Sequence, residues 1–121
     1  MFVTKSLKEF SRFEDGLKQI GTLGVAELGK VEKAIFKTAK AFGTDANEAA
    51  KGYYDIISAG AKDAATAQDQ LVAASKLSKA GNTELGKAVD LLTTSINVFG
   101  DNGETATTII DKIFTTVKLG K

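Results

Sequence analysis

Apolar residues recur at spacings of three and four along nearly the whole chain, the period of a helix with one buried face. Leu7, Phe10, Phe13, Leu17 and Ile20 predict a first helix over 4–20, followed by a break near Gly21 to Gly24. Leu28, Val31, Ile35, Ala39 and Phe42 predict a second over 25–42, stopped by Gly43, where glycine suits a left-handed C-terminal cap. Asp45 and Glu48 have capping-box spacing and open a third helix, with Ala49, Tyr53, Ile56 and Ile57 inward as far as Gly60. Ala64, Ala67, Leu71, Ala74 and Leu77 mark a fourth over 62–80, ended by Gly81, whose small residues favour close helix approach. A fifth, over 83–99, starts from Asn82 or Thr83 as N-cap and turns Leu85, Ala88, Leu92, Ile96 and Phe99 inward before Gly100. Asp101 and Glu104 then restore the capping-box spacing ahead of a sixth apolar face made by Ile109, Ile110, Ile113, Phe114 and Val117.

The chain repeats itself. Glu27-Leu28-Gly29-Lys30 leads to Phe42-Gly43, and Glu84-Leu85-Gly86-Lys87, displaced by 57 positions, leads to Phe99-Gly100. Behind each Phe-Gly stop an aspartate and a glutamate stand three apart, and Asp55-Ile-Ile matches Asp111-Lys-Ile once a one-residue gap is allowed. Two imperfect copies are too few for a solenoid, which needs about three repeats or more to share a core. The expected fold is therefore all-α: a bundle of about five to six short antiparallel helices around a duplicated helical hairpin, with no sheet. An N-terminal helix and glycine joint over 1–24 would precede a core over 25–121, divided into related units at about 25–81 and 82–121.

Composition narrows the chemistry. Cysteine and histidine are both absent, which excludes thiolate nucleophiles, disulfides, Cys/His zinc sites and the Ser-His-Asp arrangement. The chain carries 16 basic residues and a net charge of +1, and Arg12 is the one arginine, a poor endowment for specific nucleic-acid recognition. With 43% hydrophobic and 26% charged residues the balance is that of a globular protein, and no apolar run approaches the ~18 residues of a membrane span. Proline is absent, so the 12 glycines do the punctuating.

Each local cluster has a plain structural explanation. Asp101-Asn102-Gly103-Glu104 lacks the alternating oxygen ligands of a calcium loop and reads as a capped turn. The lysines at 30, 33, 37 and 40 form a stripe that suits an acidic partner or a phosphate backbone, but Glu27 and Glu32 interrupt it, as on an ordinary solvated face. Gly21, Gly24 and Gly29 follow no strand and precede no Gly-Lys-Ser/Thr, so they are a hinge or close contact and not a phosphate loop. Tyr53 and Tyr54 are adjacent, so one faces the core and the other a rim. Asp55 and Asp111 are equivalent in the two copies, but with no histidine in the chain to act with them they read as surface or capping residues. No catalytic, cofactor-binding or metal-binding constellation emerges.

One ordered set of motifs goes further. Phe13-Glu14-x-x-Leu17-x-x-Ile20, Phe42-Gly43-Thr-Asp-x-x-Glu48, Ser58-Ala59-Gly60, Leu77-x-x-Ala80-Gly-Asn-Thr-Glu-Leu85, Asn97-Val-Phe99-Gly100 and Ile110-Asp111 together resemble the core region of phage tail tape measure proteins. The likeness runs from about Phe13 to the C-terminus. It implies a fragment of a long structural protein, from a phage or bacterial prophage, that sets tail length and takes part in tail assembly and genome delivery. It also implies residence in the virion tail, and in the host cytoplasm during assembly. The implied partners are further copies of itself, tail-tube subunits and assembly chaperones, and the family's muralytic domains lie elsewhere, so no enzyme and no cofactor is expected. Self-association is expected through Phe2, Phe10 and Phe13. The alternative reading is a small non-enzymatic helical adaptor that takes a partner's helix in a groove. A pore-forming or membrane-surface protein is a third, disfavoured because no helix joins a wide apolar face to a dominant basic one.

Overall fold

The computed structural model describes residues 2–24, 27–99 and 108–112, with side chains at 12–24, 27–98 and 108–112. Five helices occupy the first two ranges: α1 (Phe2–Thr22), α2 (Leu28–Phe42), α3 (Ala46–Ser58), α4 (Ala64–Ala80) and α5 (Leu85–Phe99). A further helical stretch lies at 108–112, and no strand occurs among the described residues. The fold is an all-α bundle. Gly100, Asp101, Glu104, Ile113 and Phe114, and the side chain of Phe99, lie outside the described residues.

The arrangement is centred on α3. That helix packs against α1, α2, α4 and α5, whereas the repeated helices α2 and α5 do not touch each other and instead flank the α3–α4 pair. α2 and α5 both run for 15 residues and start 57 positions apart, at Leu28 and Leu85. Equivalent residues turn inward in both: Val31 and Ala88, Ile35 and Leu92, Thr38 and Ser95 are buried. Even the buried hydroxyls behave alike, since Thr38 Oγ1 donates to the Ala34 carbonyl at 2.9 Å and Ser95 Oγ to that of Leu91 at 2.8 Å. Donation to the carbonyl four residues back satisfies a hydroxyl where no water reaches it.

The core joins Phe13, Leu17 and Ile20 of α1 to Val31, Ile35, Tyr53, Ile56, Leu71, Leu77, Leu85, Leu92, Ile109 and Ile110. Removing one such large side chain from water contributes about 1.5–3 kcal/mol. Leu28, Ile57 and Ile96 pack against this core while remaining partly exposed, and Phe42 is half-buried. α4 departs most from a one-faced helix. Gln70, Ala73 and Ser75 are buried along with Ala67, Leu71, Ala74 and Leu77, because α2, α3 and α5 all press on it, while Ala64 is exposed.

Glycine makes two kinds of contribution. Gly52 lies buried in the middle of α3, where an added Cβ would meet Val89 Cγ2 at 3.3 Å and Leu71 Cδ1 at 3.4 Å, so its missing side chain lets α4 and α5 approach. At helix ends the chain leaves by left-handed turns. The Thr44 N–H donates to the Ala39 carbonyl at 2.8 Å and the Gly43 N–H to that of Lys40 at 3.4 Å, with Gly43 at φ 65°. These are the paired bonds of a Schellman stop. Gly60 ends α3 the same way, through Ala61 N–H to the Ile56 carbonyl.

Several local expectations are corrected. At the end of α4 the left-handed residue is Asn82 (φ 51°), not Gly81, which keeps a right-handed conformation; asparagine tolerates φ > 0 better than most residues. Asn82 therefore closes α4 and does not cap α5. The Asp45–Glu48 box is half formed. Asp45 accepts from the Asn47 N–H at 2.7 Å, but Glu48, although well placed for the helix dipole, makes no return bond. α1 extends to Thr22, one residue past Gly21, and α2 begins at Leu28, so Gly29 belongs to its first turn and not to the joint. The start of α4 falls at Ala64, capped by Asp63, whose carboxylate accepts from the Thr66 N–H at 2.7 Å.

Candidate functional site

Two surfaces on the α1–α2–α3 side carry most of the candidate groups. The first is the outer face of α2. Lys30, Lys33, Lys37 and Lys40 are all exposed there, and Glu27 pairs with Lys30 at 3.3 Å while Glu32 is partly covered. An exposed pair of this kind is worth little energetically. Within the stripe stands Phe36, 43% exposed, its ring tilted against that of Phe13 with centroids 4.4 Å apart. Phe13 itself is buried, so it is not the sticky surface residue expected from the sequence. The sequence pattern had no means of showing Phe36 because it falls outside the inward stripe.

The second surface is a groove of about 350 Å³ between α1 and α3, lined by Arg12, Asp15, Gln19, Asn47, Lys51, Tyr54 and Asp55. Close approach of the two helices at its floor depends on small residues, since a Cβ on Gly16 would lie 3.4 Å from that of Ala50. Asn47 Oδ1 is buried there with no protein partner. Tyr54 is therefore the rim tyrosine and Tyr53 the core one. The groove offers two cations, two carboxylates and neutral donors, a mixture suited to holding a polar protein segment and not to bond-making chemistry.

Asp55 sits on the α5 side of this groove. Burial raises its carboxyl above the ordinary value; Lys51 opposes the shift, and Asp90 on α5 adds to it. A raised carboxyl pKa means that the folded chain holds the proton more tightly than the unfolded one, so stability falls as pH rises through that window. Asp55→Asn is accordingly expected to raise the thermal midpoint at neutral pH, with the gain shrinking in acid, where the parent carboxyl is already protonated. A variant less stable than the parent at neutral pH would contradict this account. Asp63 behaves oppositely: bonds from the Thr66 hydroxyl and N–H lower its pKa, so its contribution is present near neutrality and lost as pH falls through its folded value.

Asp55 lines the groove beside Lys51, with Asp90 of α5 near enough to raise its pKa, and the equivalent Asp111 is exposed. No group of three or more Asp or Glu residues able to hold a metal ion exists among the described residues. Among them, too, no helix is long and apolar enough to cross a membrane. Gly43, Asp45, Gly60 and Gly81 act at helix ends, and Tyr53 is a core residue.

The residues assemble two polar surfaces on a helical scaffold. Comparison with curated proteins and with solved structures found no match. Comparison with protein families found one: the model of the phage-related minor tail protein family matches residues 32–121, from the first turns of α2 to the last residue. This span holds both Phe-Gly stops, the central helix, most of α2 and all of α5. With most of its length covered, the chain belongs to the phage-related minor tail protein family.

Proposed function

We propose that this chain is a segment of a tape measure protein, the tail component that sets tail length during assembly and takes part in genome delivery. The carrying observation is the family match over residues 32–121, which falls on the ordered series of helix faces and glycine stops that resembles tape measure core. The absence of histidine and cysteine and the mixed-charge surfaces favour a structural role over an enzymatic one. Its partners in this reading are other copies of itself, tail-tube subunits and assembly chaperones. It meets them in the host cytoplasm before it is enclosed in the tail.

The packing bears on how such a segment acts. Drawn out as one helix, 121 residues would span about 180 Å, whereas the longest helix among the described residues, the 21-residue α1, is about 30 Å. A segment that keeps this bundle contributes far less length than its residue count suggests. An in-frame deletion of the segment in the producing phage or prophage, with tails measured by electron microscopy, tests both points. Shorter tails are expected, by much less than 180 Å. Tails of unchanged length would refute the tape measure reading, and shortening by nearly the extended length would refute the packed one.

A further inference from the structure

The outer face of α2 differs from that of its copy. Inward positions of the two helices agree, whereas Lys33, Phe36, Lys37 and Lys40 correspond, 57 positions on, to Asp90, Thr93, Thr94 and Asn97. α5 packs on α3 and α4 without a basic and aromatic stripe, so that packing does not call for one.

The four α2 residues stand on one side of the helix over two turns, a length of about 10 Å. Lys33, Lys37 and Lys40 are exposed, and none has a carboxylate within salt-bridge distance among the described residues, whereas Lys30, one turn earlier, is held by Glu27 at 3.3 Å. Lys40, in the last turn, has a local reason to be basic: it faces the negative end of the helix dipole, where Lys79 Nζ also comes within 3.8 Å of the Cβ position of Gly43. Lys33 and Lys37, in mid-helix, have neither an ion pair nor a helix end to answer their charge. Between them Phe36 leaves 43% of its surface exposed, while its other side rests on the buried Phe13 ring, centroids 4.4 Å apart. The exposed ring is held in place before anything binds, which lowers the ordering cost of using it as an anchor. A fixed aromatic among charges is the arrangement of an interface anchor with a polar rim.

We propose that this face docks an acidic amphipathic helix of another protein, laid along α2 with an apolar residue over Phe36 and carboxylates against Lys33, Lys37 and Lys40. Carboxylates three and four apart on a second helix repeat at the lysines' own spacing, so two turns match side by side. A nucleic acid fits less well. Tight duplex binding draws on several phosphate contacts from a broad basic face, and the one arginine, Arg12, lines the α1–α3 groove instead. A single exposed ring is no stacking platform for successive bases. The proposal rests on the tail-assembly reading only for which protein carries the helix.

The probe is a blocked, alanine-based helical peptide with one leucine stripe flanked by glutamates. Titrated into the ¹⁵N-labelled chain at low salt, it is expected to give saturable shifts at the backbone amides of Lys33, Phe36, Lys37 and Lys40. The same peptide with glutamine in place of glutamate should bind far more weakly. The double variant Lys33→Gln/Lys37→Gln, which alters only exposed and unpaired groups, is expected to fold and to weaken binding roughly fivefold. Phe36→Ala should weaken it roughly tenfold, the loss of an aromatic anchor. Absence of saturable shifts on α2, equal binding of the glutamine peptide, or unchanged affinity in the lysine double variant would each overturn the assignment. Tighter binding of a single-stranded or duplex oligonucleotide at the same salt would give the face to nucleic acid instead. The same shifts on concentrating the chain alone would give it to a second copy, and either result would also overturn the proposal. The titration needs no assembled tail, so its failure and a failure of the tail-length experiment remain separate results.

Discussion

Gly52→Leu is expected to destabilise the fold by about 3 kcal/mol, the upper end of the usual overpacking range. Space for a side chain is lacking on three sides at once: the Cβ alone would approach Val89 Cγ2 to 3.3 Å, Leu71 Cδ1 to 3.4 Å and Leu85 Cδ2 to 3.7 Å. Those three residues are themselves 0–2% exposed and belong to the two helices that cover this face of α3, so displaced atoms have nowhere to go. Gly52→Ala is the informative comparison. Its methyl requires Val89 to yield by only a few tenths of an ångström, and alanine favours a helix over glycine by about 1 kcal/mol, so a net change within ~1 kcal/mol is expected. Urea unfolding followed by far-UV circular dichroism, read as the midpoint at constant slope, separates the two. A leucine variant as stable as its parent would mean that α4 and α5 do not press on this face.

The second large effect concerns the repeated helices. Ile35 and Leu92 stand 57 positions apart, each with no exposed surface. Ile35→Ala and Leu92→Ala are each expected to cost about 3 kcal/mol, as lost transfer energy together with the cavity left behind. Because α2 and α5 do not touch, the two losses should also add to within about 0.5 kcal/mol in the double variant. The same denaturation measurement checks it. A loss at one position without a comparable loss at the other would show that the repeat is a resemblance of letters and not of packing.

Much of the helical layout can be read locally. Phe42-Gly43 ends α2 in the way its letters suggest, because glycine alone takes the left-handed turn without a Cβ penalty. The four-residue spacing of Val31, Ile35 and Ala39 marks the buried face of α2 because that helix is covered on one side. α4 is less legible for the opposite reason: covered by three neighbours, it buries Gln70, Ala73 and Ser75 and so blurs its own periodicity. Nothing in the local pattern singles out Gly52, and only the packed helices show it to be a contact. The Thr38–Gln68 bond joins positions 30 apart, and no local pattern carries that information. The centrality of α3 is of the same kind, being a property of pairings between helices. Of the surface features, the lysine stripe was visible from spacing, whereas the α1–α3 groove and Phe36 were not.

The placement of Tyr53 and Tyr54 has a spectroscopic corollary. They are the only two tyrosines, and the chain has no tryptophan. All of its near-ultraviolet absorbance beyond the weak phenylalanine bands therefore originates on the central helix, one chromophore in the dry interior and the other at the edge of a solvated groove. Light at those wavelengths reports selectively on the helix that contacts α1, α2, α4 and α5. Loss of its asymmetric surroundings would register in near-ultraviolet dichroism even if every helix kept its backbone.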